Sequence, residues 1–422
     1  MALEQIFECP RTLSRLRSGP LGNLLDEFCD WLVSHGYRRW TIRTHLGNVS
    51  HLNEHLDGYR NGIHESLSSR DFAGFFNAYP FRCRNRGPLE EHVRRVSYSI
   101  NRFLDYLRDS GIFDSSSGQQ AIYHCLLDDY LNWMRHYQHA SEGTVGVRCH
   151  SITQFLEWLG PDAIPEGLSK LRSDRIEDFF INYAQTMGRS ARRSMQSALR
   201  TFLRFCLHNG YIEQPLEHAV PILRTYKLAT VPRGLTDTQA QQALRCINRN
   251  THVGRRDYAI LLLLYTYGVR GGQVRALRLE DIDWEQNQIL FKALKHGKDS
   301  HLPLTAEVGE SLLDYLQNSR PPYAYPHVFL SSRAPYHPLP HSSSLSAIVE
   351  RCIRAAEIEI PCKGAHVFRH CFATRMLQKG HSLKEIADVL GHRHLGTTFI
   401  YTKVEFHALR QVALEWPEEV AQ

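Results

Sequence analysis

Residues 366–404 read HVFRHCFATRMLQKGHSLKEIADVLGHRHLGTTFIYTKV, with five histidines, three arginines, three lysines and one tyrosine. His366 and His370 lie four residues apart, on one face of a helix, a spacing that suits a metal. His366 and Arg369, three apart, share a face as well, and a guanidinium offers a planar fork for two phosphate oxygens. The metal reading lacks parts: Val367 stands where a zinc-protease helix carries its glutamate base, and no third ligand is evident. The phosphate reading gains from the residues farther along the chain. Ser382 and Glu385 form a capping box before IADVL, and Gly391 suits the residue just past a helix end, so His392 comes directly after a fixed stop. Thr397 and Thr398 supply the next cap, with Tyr401 in the first turns beyond it. Taken alone, a tyrosine there is usually a packing residue.

The preceding region has a mixed texture. LTDTQAQQALRCI opens a helix, with Thr236 as N-cap and Gln239 completing a capping box. DYAILLLLYTYG is a buried helix stopped by Gly268. Its apolar run, residues 259–265, is far shorter than the roughly 20 residues that cross a bilayer. In DIDWEQNQILFKALKHGKDSHLPL, Ile289, Phe291 and Ala293 alternate with other residues before HGKD turns the chain, a β-hairpin signal. The pattern is helical again beyond about Glu307, apart from the Pro/Tyr/Ser-rich stretch 321–344.

Helical periodicity dominates the first half. Leu24, Leu25, Phe28, Trp31 and Leu32 mark one apolar face, and Leu126, Leu127, Tyr130, Trp133 and Met134 repeat it. TIRTHLGNVSHLNEHL resembles TVGVRCHSITQFLEWL, LSSRDFAGFFNAY resembles LRSDRIEDFFINY, and FLDYLRDSGI resembles FLRFCLHNGY, all in the same order. This order implies a tandem duplication of a small helical domain. The copies meet at the turn-rich DSSSGQQ. A second linker, PILRTYKLATVPRG, carries Arg224, Lys227 and Arg233, and its composition suits equally a strap along a phosphate backbone and an ordinary tether. The expected organisation is residues 1–117 and 118–220 as helical domains, 221–234 as linker and 235–422 as a mostly helical domain with a small sheet.

Composition sets outer bounds. The 422 residues suffice for two to four domains of about 100–200 residues. With 42% hydrophobic and 22% charged residues the chain reads as an ordinary globular protein, and its net charge of +6 is compatible with nucleic acid. The start MALEQIFECPRTLSRLRSG lacks the apolar core of a signal peptide. Ten scattered cysteines without a CxxC pair fit reduced thiols and a cytoplasmic location, with no structural zinc.

Together, HVFRHCFATRML, IADVLGH and TTFIYTKV strongly resemble the tyrosine recombinase (phage integrase) family, whose signature is His-x-x-Arg, then Leu-Gly-His, then a tyrosine nine residues on. YTYGVRGGQVRALRLEDID resembles the family's first arginine box, and LKHGKDSHLPL its β-hairpin lysine segment. The resemblance spans residues 236–416 and, more loosely, one helical core-binding domain before them. It implies a mainly α architecture with a small sheet: tandem core-binding-like helical domains, then an α+β catalytic domain. It implies a site of Arg270, Lys295, His366, Arg369, His392 and the nucleophile Tyr401, needing no metal or cofactor. Lys298 is the alternative to Lys295, or else a backbone contact. Arg375 and Arg393 read as DNA contacts or as a solvated face, and His370 as a buttress. The implied partner is double-stranded DNA with a specific site, bound by a homotetramer, with no membrane. One departure stands out: family members often carry a carboxylate three residues after the first arginine, where this chain has Gln273.

The expected function is site-specific recombination or integration for a mobile element, through a 3′-phosphotyrosyl intermediate. A type IB-like topoisomerase would use the same residues. A catalytically silent DNA-binding regulator and a metal hydrolase built on His366 and His370 are rivals of other classes. The full residue set argues against the silent regulator.

Overall fold

The computed structural model describes residues 2–57, 67, 72, 74–76, 78–79, 89–112, 122–222, 234–294, 299–361, 364–391 and 398. By contact the chain divides into two units, one of residues 1–18, 22–47 and 227–422, the other of 19–21 and 48–226. Helices α1 (Ala2–Ile6), α2 (Pro10–Arg17), α3 (Gly22–Ser34) and α4 (Arg39–Asp57) open the chain. On α3 the buried residues Leu25, Phe28 and Leu32 recur at the spacing expected from the sequence.

The second unit is helical throughout its described residues. It holds α5 (Leu89–Asp109), α6 (His124–His136), α7 (Glu142–Leu159), the short α8 (Pro165–Leu168), α9 (Ser173–Thr186) and α10 (Arg189–His208). Tyr130, Phe155, Phe179, Phe202 and Phe205 interlock at its centre, with Tyr130 and Phe202 edge to face at 5.2 Å. Trp133 and Met134 line this core, as the repeated α3 and α6 patterns require.

The remainder of the first unit is built on α12 (His252–Tyr267), preceded by α11 (Asp237–Arg245) and followed by α13 (Gly271–Ala276). Thr236 caps α11 with the expected reciprocal box: its Oγ1 accepts the Gln239 N–H, and Gln239 Oε1 accepts the Thr236 N–H. On α12, Ile260 through Leu264 are almost wholly buried because helices surround them. These are α14 (Ala306–Asn318), α15 (Ser342–Ala355) and α16 (His366–Gln378). Helix α17 (Leu383–Leu390) packs on α16 through Phe372, Ala373, Ile386 and Leu390.

The sheet is three antiparallel strands, β1 (Ile282–Asp283), β2 (Gln288–Phe291) and β3 (Ser300–Pro303), in that order. The expected hairpin is β2–β3, with Ile289 opposite Leu302 and Phe291 opposite Ser300. Ile289 and Phe291 face the core, and Tyr267 on α12 donates to the Pro303 carbonyl at 2.7 Å, so the sheet is locked to the central helix. Among the described residues no helix is long and apolar enough to cross a membrane.

Phe291 is fully buried and its ring lies 5.7 Å from that of Tyr267. Phe291→Ala is expected to cost about 3–5 kcal/mol of stability, read as a lowered urea midpoint. A change below about 1 kcal/mol would show that the sheet is not packed as described.

Candidate active site

The site begins where α12 stops. Gly268 takes a left-handed φ of 61°, and a Cβ there would lie 2.5 Å from the Phe372 ring, so the position demands glycine for backbone and space alike. Two residues later Arg270 is the N-cap of α13, with its side chain exposed and its N–H accepted by Gln273 Oε1 at 3.1 Å. A Cβ on Gly271 would sit 3.0 Å from that of Ala365, so this glycine lets the start of α13 approach the start of α16, where His366 lies.

Arg369 projects from α16 into the protein and is only 4% exposed. Its Nη1 donates to the Gly268 carbonyl at 2.9 Å and its Nη2 to the Leu390 carbonyl at 2.6 Å. Both acceptors sit at helix C-termini, where the last carbonyls lack intrahelical partners and the dipole is negative. One guanidinium thereby fixes the exit of α12, which leads to Arg270, and the exit of α17, which leads to His392. Gly391 ends α17 in the left-handed conformation, and a Cβ there would lie 4.0 Å from Arg270 Nη1. The Arg270 guanidinium thus reaches the residue just before His392.

His366 and His370 stand together on α16, ring centroids 6.3 Å apart. The pKa of His366 lies below the ordinary histidine value because the surrounding protein partly desolvates it and because the Arg369 and Arg270 charges oppose a third. Its ring still reaches solvent, as a proton acceptor for an incoming group must. Deeper in, burial first and then His366 and Arg369 push His370 down to about 4. The chain entering this unit presses on the same helix: a Cβ on Gly234 would meet His370 Cβ at 2.7 Å. His370 is thus packed against the entering chain at Gly234.

Arg270, His366 and Arg369 are brought to one place. Lys295, Lys298, His392, Arg393 and Tyr401, and Arg224, Lys227 and Arg233 of the linker, lie outside the described residues. The hairpin that carries Lys295 and Lys298 is described on both sides, where the Ala293 N–H is accepted by Asp299 Oδ1 at 2.7 Å. Arg375 does not face outward as a DNA contact would. Its Nη1 pairs with Asp237 at 3.2 Å, its Nη2 donates to the Tyr265 carbonyl at 2.8 Å, and its guanidinium lies 4.1 Å over the Tyr265 ring. It staples α16 to α11 and α12. A cavity of about 410 Å³, lined by His252, Arg256, Tyr315 and Tyr336, lies at the opposite end of α12 and shares none of these residues.

Sequence reasoning missed one basic surface. Helix α10 contains no acidic residue, and Arg189, Arg193, Arg200 and Arg204 recur along one side at helical spacing. Arg189, Arg193 and Arg204 are exposed, whereas Arg200 Nη2 donates to the Val220 carbonyl at 2.9 Å. The signal that could have found it is an acid-free helix with arginines on one side at spacings of four and seven.

Comparison with known proteins gives a consistent result. A sequence model of the phage integrase family matches residues 233–408. The putative integrase/recombinase y4rA of Sinorhizobium fredii is 33% identical, over 96% of this chain and 97% of its own length. Tyrosine recombinase XerC of Anoxybacillus flavithermus is 29% identical over 68% of this chain and 95% of its own. Among solved structures, the XerH site-specific recombinase bound to palindromic difH substrate, in a post-cleavage complex, is similar with a TM-score of 0.54. That match is 21% identical and covers 76% of this chain and 95% of the other, a likeness of fold.

The depressed His370 pKa gives a stability signature. Neutral in the folded protein and with a pKa near 6.5 when unfolded, His370 contributes stability that is present above about pH 6.5 and is lost as pH falls toward 4. Replacing it with glutamine, which does not titrate, is expected to reduce the fall in unfolding free energy between pH 7 and pH 5 by about 2 kcal/mol. Urea titrations at the two pH values measure this, and an equal fall in both proteins contradicts it.

Proposed function

We propose that this chain, which belongs to the tyrosine recombinase (phage integrase) family, is a site-specific DNA recombinase that cleaves and rejoins strands through a phosphotyrosyl intermediate. The observation that carries the reading is the convergence of Arg270, His366 and Arg369, residues from two distant segments whose joint use is phosphate chemistry.

The Tyr401 oxygen attacks the DNA phosphorus. A P–O bond to tyrosine forms, the bond to the 5′-oxygen breaks, and the 3′ end stays on the protein. A free tyrosine loses its proton only near pH 10, so His366, neutral at pH 7, takes the phenolic proton. Lys295 supplies a proton to the departing 5′-oxygen, with Lys298 as the alternative donor. Arg270 and Arg369 stabilise charge on the non-bridging oxygens, and His392 adds a hydrogen bond. Two of the five Arg369 N–H groups go to the Gly268 and Leu390 carbonyls, so this arginine orients the site as well as charging it. A 5′-hydroxyl from a second duplex reverses the steps and rejoins the strands. No metal or cofactor takes part.

Residues 1–117 and 118–220 act as two helical DNA-binding domains, joined by the 221–234 strap to the catalytic domain 235–422. The XerC match spans nearly all of that relative with about two thirds of this chain, which supports the presence of an additional module in this chain. The α10 arginines contact backbone phosphates, and Arg224, Lys227, Arg233 and Arg393 extend the contact; Arg375 is left out because its guanidinium pairs with Asp237 and lies over the Tyr265 ring. Recombination pairs two duplexes and four strand cuts, so the working form is a homotetramer on DNA, in the cytoplasm, serving a mobile element.

Incubation with a nicked suicide duplex containing the site, with a chelator present, is expected to give a covalent protein–DNA adduct that Tyr401→Phe abolishes. No adduct on the correct site would exclude strand transfer, and dependence on a metal would favour the hydrolase. Exchanged rather than merely relaxed products separate a recombinase from a topoisomerase. Arg193→Ala is expected to weaken DNA binding at all sequences and to flatten the salt dependence by about one unit of slope. An unchanged slope removes α10 from the interface.

A further inference from the structure

The residue that departs from the family pattern, Gln273, makes two bonds that a carboxylate cannot make together. It sits at the third position of α13 and is only 8% exposed. Its Oε1 accepts the Arg270 N–H at 3.1 Å, and its Nε2 donates to the Lys292 carbonyl at 3.4 Å. The orientation of the amide is dictated by its partners, since a backbone N–H needs an acceptor and a carbonyl needs a donor. Lys292 directly follows β2, and its own Nζ is held by Asp281 at 2.6 Å and Glu280 at 3.3 Å. The neighbouring glycine on the N-terminal side lies close to the same arm: a Cβ on Gly272 would lie 2.6 Å from Leu294 Cδ1. Gln273 therefore holds the hairpin arm at position 292, Gly272 leaves room beside it for the Leu294 side chain, and Lys295 follows three residues after the bond.

We propose that Gln273 is a positioning residue that couples the Arg270 turn to the lysine hairpin. An ionised glutamate offers only acceptors. It would still cap the Arg270 N–H, but it would set an anionic oxygen against the Lys292 carbonyl and release the hairpin arm. In this chain the amide joins the backbone of the residue that binds the phosphate to Lys292, three positions before the residue that protonates the leaving oxygen. This rests on the roles given above to Arg270 and Lys295.

The test uses the full chain and two nicked suicide duplexes, one ordinary and one with sulfur in place of the bridging 5′-oxygen at the cleaved bond. A thiolate leaves without being protonated, so the sulfur duplex does not need the lysine. Gln273→Glu is expected to slow adduct formation on the oxygen duplex by about 10–100-fold, the scale for misplacing a proton donor by about an ångström. On the sulfur duplex the same variant is expected to come within about threefold of the unmodified protein, with DNA affinity unchanged. Gln273→Met, which keeps the length and loses both bonds, is expected to be slow on oxygen and only partly restored by sulfur. It provides the reading should the charged variant fold poorly. Equal losses on the two duplexes, or no loss on either, overturn the coupling. Absence of any adduct with the unmodified protein overturns the strand-transfer reading itself, and the positioning role falls with it.

Discussion

A single buried guanidinium organises the catalytic half of this protein. Arg369 enters from the first turn of one helix and binds the last carbonyls of two others, at Gly268 and Leu390. Burying a charge costs free energy unless its donors are satisfied, and helix C-termini are where unsatisfied carbonyls and negative potential coincide. The two glycines that end these helices, Gly268 and Gly391, both take left-handed backbone that lets the chain leave at once in a new direction. One exit leads to Arg270 and the other to His392. Arg369 thus sets the spacing of two segments about 120 residues apart before it touches any substrate.

Other contacts refine what that tie sets up. Gly271 allows the starts of α13 and α16 to approach, which brings the charge of Arg270 to bear on His366. Partial desolvation first, then the charge of Arg369 and that of Arg270, favour neutral imidazole, the form a proton acceptor needs at neutral pH. Behind it His370 is enclosed between α16 and the backbone at Gly234. Gln273 then joins the Arg270 turn to the hairpin arm. Short ties of this kind convert a buried helical core into a fixed array of polar groups.

Local rules make part of this legible in the sequence. The capping boxes at Thr236 and Ser382, the glycine stops at Gly268 and Gly391, and the β2–β3 hairpin depend on residues a few positions apart, and each is present as read. Arg375 shows where that reasoning ends. Nothing near it in sequence indicates its partner Asp237, 138 residues away, so in the sequence it looks like one more basic residue on a helix near the site. Gln273 stands out as a substitution, but its second bond crosses to the end of a strand and cannot be read from helical spacing. The arginine stripe of α10 is readable in principle, yet the apolar face of the same helix dominates its pattern.

Hydrogen exchange on the Arg369→Gln variant distinguishes an arginine that builds the site from one that only meets the phosphate. The amides to monitor are those of Gly268, bonded to Leu264, and Gly391, bonded to Ala387 and Asp388. Loss of the guanidinium is expected to lower protection at both helix ends together in the DNA-free protein, while the interior of α12 keeps its protection. Unchanged protection at both ends would contradict the organising role of Arg369 and leave it a contact to the phosphate alone.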